Sequence, residues 1–255
     1  MEKRNLPVAV FDSGVGGVSV LRELVKLMPL EDFFYFGDSL HAPYGTKKTE
    51  EVRELTLENI KRMARRGIKG IVVACNTATS AAITLLREQY TDIPVVGIEP
   101  ALKPAVMEKE HARVLVLATP MTVHAGKFVS LMERFAGKAT MIPLGCPGLM
   151  EFVEAGKLEG EELERYLKKL LYPYLSGGID AVVLGCTHYP FLRNEIQKVM
   201  GPGVHILDGS QGTARELRRR LAAMDLLTDR QRPGEVIFEE SIPEKIPLCR
   251  FLLGC

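Results

Sequence analysis

Short apolar runs alternate with longer amphipathic stretches along almost the whole chain. The runs at residues 8–11, 33–36, 71–74 and 95–98 read as strands in the first half, and those at 114–118, 140–142, 181–184 and 204–207 as strands in the second. Several are apolar without interruption, the mark of a strand buried on both faces. Residues 50–66, 78–89, 123–136 and 160–175 carry apolar positions at helical spacing between them. Alternation of this kind predicts parallel sheets with helices on both faces. Matched strands in the two halves are offset by on the order of a hundred residues, the length of a domain. The chain is therefore expected to form two pseudo-symmetric α/β lobes, each a mainly parallel sheet flanked by helices, with the active site in the cleft between them. Residues 1–98 plus 209–255 form the first lobe and 99–208 the second. Residues 213–224 read as a helix that packs back onto the first lobe, and 232–247, rich in Pro and Glu, as a loosely built return.

Composition narrows the function classes. A chain of 255 residues with 46% hydrophobic and 25% charged residues is an ordinary globular protein. The net charge of +1 and the lack of a long basic block argue against nucleic acid as a partner. Arg218-Arg219-Arg220 reads as a solvated helix face. No apolar stretch is long enough for a bilayer and the N-terminus carries no signal-peptide core, so a cytoplasmic protein without a membrane partner is expected. Five cysteines without a C-x-x-C spacing argue against a disulfide framework and a structural zinc site. Cys249 and Cys255 read as packing or a frayed end, and no metal is expected.

Two apolar runs end in a thiol. One continues into Cys75-Asn76-Thr77, the other into Gly185-Cys186-Thr187-His188. Open α/β sheets bind ligands at the carboxyl ends of their strands. A buried cysteine is usually inert, but a second thiol in the matching place changes that reading, because two thiols can face one small molecule from opposite sides. Both are expected to precede helices, whose positive ends favour thiolate. His188 could hold or exchange the proton of Cys186. Other strand ends supply Asp12 and Ser13, then Asp38, Ser39, Pro43, Tyr44 and Gly45, and Thr119. Each has a plainer reading as helix cap, turn former or packing residue. Glu154, ahead of an acidic helix, would by itself be a surface charge.

Phe11-Asp12-Ser13-Gly14-Val15-Gly16-Gly17, Gly37-Asp38-Ser39, Pro43-Tyr44-Gly45, Val73-Ala74-Cys75-Asn76-Thr77-Ala78, Leu184-Gly185-Cys186-Thr187-His188-Tyr189-Pro190 and Gln211-Gly212-Thr213-Ala214 occur in that order. Together they resemble the glutamate racemases of the aspartate/glutamate racemase superfamily. The resemblance runs to about Arg220 and fades beyond Pro233, where the family's Phe-Thr-Thr-Gly-Asp-like segment is lacking. It implies a cofactor-independent enzyme that interconverts L- and D-glutamate and supplies D-glutamate for peptidoglycan. It also implies Cys75 as base for D-glutamate, Cys186 as base for L-glutamate, and Asp12 and His188 as the groups assisting each. Ser13, Pro43, Tyr44, Gly45, Asn76, Thr77, Thr119 and Thr187 are implied substrate contacts, with Glu154 lining the pocket and a homodimer as the assembly. The absence of a lysine from the strand-end motifs fits direct two-base chemistry rather than a pyridoxal Schiff base. The alternatives are an aspartate or broader amino-acid racemase, a cysteine-dependent hydrolase, and a module that binds an acidic amino acid without converting it.

Overall fold

A computed structural model describes residues 2–107, 109–124, 126–135 and 137–254. Within it the chain divides into two compact units, Met1–Glu99 with Ser210–Cys255, and Pro100–Gly209. Each is built on a parallel sheet with flanking helices, as the alternation predicts.

The first unit holds β1 (Val8–Asp12), β2 (Phe33–Gly37), β3 (Gly70–Val73) and β4 (Val95–Gly97). The second holds β5 (Arg113–Ala118), β6 (Thr140–Gly145), β7 (Ala181–Leu184) and β8 (His205–Asp208). The last strand, β9 (Val236–Glu240), returns to the first unit. The sheet orders are β4-β3-β1-β2-β9 and β6-β5-β7-β8. Every pairing is parallel. Setting β9 aside, the two orders are the same: the first strand lies between the second and the third, with the fourth outside. The chain leaves β1 in one direction and β3 in the other, so the ends of these two central strands mark the switch point where doubly wound sheets bind ligands. The ends of β5 and β7 are the corresponding point of the second unit.

Residues of β1, β2, β3 and β7 are buried throughout, which explains their uninterrupted apolar runs. In the first unit the helix Val18–Leu27 packs against Ser210–Ala223 and Ile246–Leu253, while Thr49–Ala64 and Asn76–Gln89 pack against each other. In the second, Val114, Val116, Ala181 and Val183 form a cluster with Leu102, Ala105 and Phe128.

The C-terminal segment departs from the expectation of a loose return. β9 pairs with β2 from Phe33↔Val236 to Gly37↔Glu240, and the helix Ile246–Leu253 follows. Cys249 is fully buried in that helix, in keeping with a packing role, and Cys255 lies outside the described residues. Among the described residues no helix is long and apolar enough to cross a membrane.

Candidate functional site

The first thiol stands at the end of β3. Ala74 N donates to Phe11 O at 2.7 Å, which carries the β1/β3 pairing one residue past the strand. Cys75 then caps the helix Asn76–Gln89 from an extended conformation, and Ala78 N donates to its sulfur at 3.4 Å. A sulfur in the place usually taken by a capping oxygen lies against the positive end of the helix dipole. Ser13 Oγ lies 3.4 Å from the same sulfur. Asp12 ends the neighbouring β1, fully buried, and accepts from Gly14 N at 2.9 Å. Gly17, at the start of the helix Val18–Leu27, lets this loop close down: a Cβ there would stand 2.6 Å from Asp12 Cβ and 2.9 Å from Ala74 Cβ.

Asn76 and Thr77 are buried beside Cys75 in sequence, and Asn76 Oδ1 accepts no hydrogen bond among the described residues. A buried carbonyl oxygen without a donor is costly unless a ligand supplies one. Tyr44 and Gly45 are buried and Pro43 is half-buried. Tyr44 Oη donates to Asp38 Oδ2 at 2.7 Å. Burial, then the bond to Asp38 and its charge, then the charge of Cys75 push the Tyr44 hydroxyl far above the ordinary phenol value, so it remains a donor.

The second thiol, Cys186, follows β7 and is also buried. Gly185 N donates to Leu117 O at 2.6 Å, and a Cβ at Gly185 would stand 2.8 Å from that oxygen. Glycine is required there for the two strand ends to meet. Cys186 does not cap a helix directly, contrary to expectation. Thr187 and His188 form a turn, the 3-10 segment Tyr189–Leu192 follows, and only then comes the helix Arg193–Met200. Pro190, at the start of the 3-10 segment, lacks an N–H. The side chain of His188 instead reaches Cys186, with Nδ1 3.6 Å from Sγ. Its Nε2 lies 2.7 Å from Glu154 Oε1. Burial alone pulls the His188 pKa down, but the bonds and charges of Cys186 and Glu154 outweigh it and hold the ring well above its ordinary value. The imidazole is therefore a proton source beside the sulfur.

Thr119, after β5, accepts from Thr122 N at 3.3 Å and lies 2.9 Å from Thr122 Oγ1, so it caps the helix Pro120–His124. Thr187 is buried next to Cys186.

The structure thus places Asp12, Ser13, Pro43, Tyr44, Gly45, Cys75, Asn76 and Thr77 in the first unit, and Thr119, Glu154, Cys186, Thr187 and His188 in the second. Several participants carried no sequence signal of their own. Asp38 reads as a turn former, yet its carboxylate is buried and takes bonds from Tyr44, Asn59 and His41. Asn59 sits on the helix Thr49–Ala64, 21 residues beyond Asp38. Cys146 follows β6 as a third buried thiol; burial and then the charge of Cys186 push its pKa up to about 12, which keeps it neutral. The sequence reading of that strand stops at 142, ahead of Pro143, and so does not bring Cys146 to its end.

Residues 16–217 match the Asp/Glu/Hydantoin racemase family model. The chain is similar to a glutamate racemase of Clostridium perfringens strain ATCC 13124, 48% identical over 242 residues, covering 95% of this chain and 93% of that one. Among solved structures it is similar to a glutamate racemase isoform of Bacillus anthracis, with TM-score 0.89 and 30% identity, covering 99% of this chain and 95% of that one. It is also similar to glutamate racemase from Francisella tularensis in complex with D-glutamate, with TM-score 0.86 and 28% identity, again covering 99% and 95%.

Proposed function

The chain belongs to the Asp/Glu/hydantoin racemase family, and within it to the glutamate racemases; from that premise we propose that Cys75 and Cys186 interconvert L- and D-glutamate by direct two-base chemistry. Acting on D-glutamate, the Cys75 thiolate takes the α-proton. The C–H bond breaks, its electron pair remains on the α-carbon, and an S–H bond forms. The Cys186 thiol then gives its proton to the opposite face, and the reverse direction exchanges the roles. Nothing is oxidised or reduced, so the reaction calls for no redox cofactor.

Asp12 and Ser13 assist Cys75. His188, held by Glu154, returns a proton to Cys186. The open acceptor of Asn76 suits an ammonium group, while the hydroxyls of Thr77, Thr119 and Thr187 and the N–H groups of Ser13 and the Tyr44-Gly45 turn suit carboxylates. Pro43 sets the shape of that turn. The D-glutamate made in this way supplies peptidoglycan synthesis. The finer reading is a cytoplasmic homodimer; sedimentation of the purified protein tests the dimer.

One observation carries the proposal: each thiol stands two residues past the last residue of the third strand, in sheets with the same strand order. Circular dichroism of L-glutamate incubated with the protein tests it. The signal should decay to zero with the native protein and persist with Cys75→Ala or Cys186→Ala. In heavy water the product enantiomer should gain α-deuterium before the remaining substrate does. Early labelling of both pools alike, or full activity in either variant, overturns the two-base reading.

A further inference from the structure

The segment from Gly37 to Gly45 is held more tightly than a surface turn requires. Asp38 lies at its root, 1% exposed. Its backbone N donates to Asp12 O at 3.0 Å, tying it to the end of β1. Its side chain is a three-way junction. Tyr44 Oη and Asn59 Nδ2 donate to Oδ2 at 2.7 and 3.0 Å, and His41 Nδ1 lies 2.8 Å from Oδ1. Asn59 belongs to the helix Thr49–Ala64, so the junction fastens the segment to a regular element behind it. The Tyr44 ring also packs on Phe11, with centroids 6.4 Å apart. The far side is held from the C-terminal return: Ser241 Oγ accepts from Leu40 N at 2.8 Å, and Ser241 N donates to Gly37 O at 3.0 Å.

A carboxylate this deeply buried persists only when donors surround it. Here the donors come from the turn itself and from the helix behind it, so the carboxylate dictates where the turn sits. We infer that Asp38 is a positioning residue of the racemase: through Tyr44, His41 and Asn59 it fixes the Pro43-Tyr44-Gly45 turn in the place where its N–H groups receive a substrate carboxylate. This rests on the proposed reading of that turn as a substrate contact. Asp38 itself touches neither substrate nor sulfur in this account.

The inference predicts a particular kinetic signature. An amide has one acceptor oxygen and a nitrogen that only donates, so Asp38→Asn sets a donor against Tyr44 and Asn59 or, turned the other way, against His41 unless that ring changes tautomer; in either case the charge that holds the turn is gone. Carboxylate binding is then lost in ground state and transition state alike, which raises KM and spares kcat. For Asp38→Asn, KM for both glutamate enantiomers should rise about tenfold, with kcat changed by less than about threefold. Tyr44→Phe, which keeps the ring and removes only the hydroxyl, should act in the same direction. The double variant should be no worse than Asp38→Asn alone, because both remove one connection. Asn59→Ala leaves the carboxylate in place and gives a smaller rise, and with Tyr44→Phe it carries the test should Asp38→Asn fail to fold. Unchanged KM in these variants, or losses that multiply in the double variant, overturns the inference. Cys75→Ser separates this from the underlying reading. If Cys75→Ser is inactive while KM in the Asp38 and Tyr44 variants is unmoved, only the positioning role falls. If Cys75→Ser racemises normally, the site reading falls and the inference with it.

Discussion

At the scale of single residues, the two thiols are served by different devices. Cys75 receives a helix N–H and the Ser13 hydroxyl, whereas Cys186 receives an imidazole whose pKa Cys186 and then Glu154 hold up. The pH dependence follows from that difference. His188 is held well above pH 6.5 partly by Glu154, so removing the carboxylate charge lowers its pKa. In Glu154→Gln the alkaline limb of kcat/KM for D-glutamate, the direction in which Cys186 is the acid, should therefore move to lower pH. A limb that stays in place would show that His188 does not supply the proton. Gly17 belongs to the same scale. The atoms that a Cβ would meet there, Asp12 Cβ and Ala74 Cβ, are anchored directly to the backbone and cannot swing aside. Gly17→Ala should part the ends of β1 and β3, destabilising the protein by about 1–3 kcal/mol and lowering activity. Denaturant titration alongside the racemisation assay checks both.

At the scale of elements, the apolar strands were legible because burial on both faces leaves no polar alternation to obscure them. The edge strand β9 was not. Its five residues include Glu239 and Glu240 at the end, only Phe238 and Glu240 are buried, and its partner β2 lies near the other end of the chain. No local periodicity announces a strand that depends on a distant edge. Helix Ser210–Ala223 shows the opposite case, since its charges pair locally. The bond from Arg219, and then the bond and charge of Arg220, outweigh partial burial and hold the Glu216 carboxyl down at about 2, below its ordinary 4.5. A depressed carboxyl stabilises the fold above its unfolded pKa and loses that contribution as pH falls through the folded value. Glu216→Gln should thus be less stable than the native chain above about pH 5. The difference should disappear as pH falls through about 2, by thermal melts across that range.

At the scale of the whole molecule, residues 100–209 are continuous in sequence and complete in sheet pairing, because β5 to β8 pair only among themselves. The other unit needs two separated stretches, with β9 and the helix Ser210–Ala223 supplied from the end of the chain. Residues 100–209 expressed alone should therefore fold and unfold cooperatively in urea while lacking racemase activity. A broad, non-cooperative transition would show that the unit depends on the rest of the chain.

Periodicity and spacing determined, without any structure, that this chain alternates strands and helices, repeats the pattern, and brings a thiol to the end of two matching strands. These are properties of neighbours along the chain, where burial and turn chemistry act over a few residues. Only the tertiary structure decided that Glu154 holds His188, that Asn59 and Asp38 fasten Tyr44, and that the last strand closes the first sheet beside β2. Apart from the bond between Tyr44 and Asp38, six residues apart, these contacts join residues well separated in sequence, and they depend on where packing places the groups rather than on which residues lie beside them.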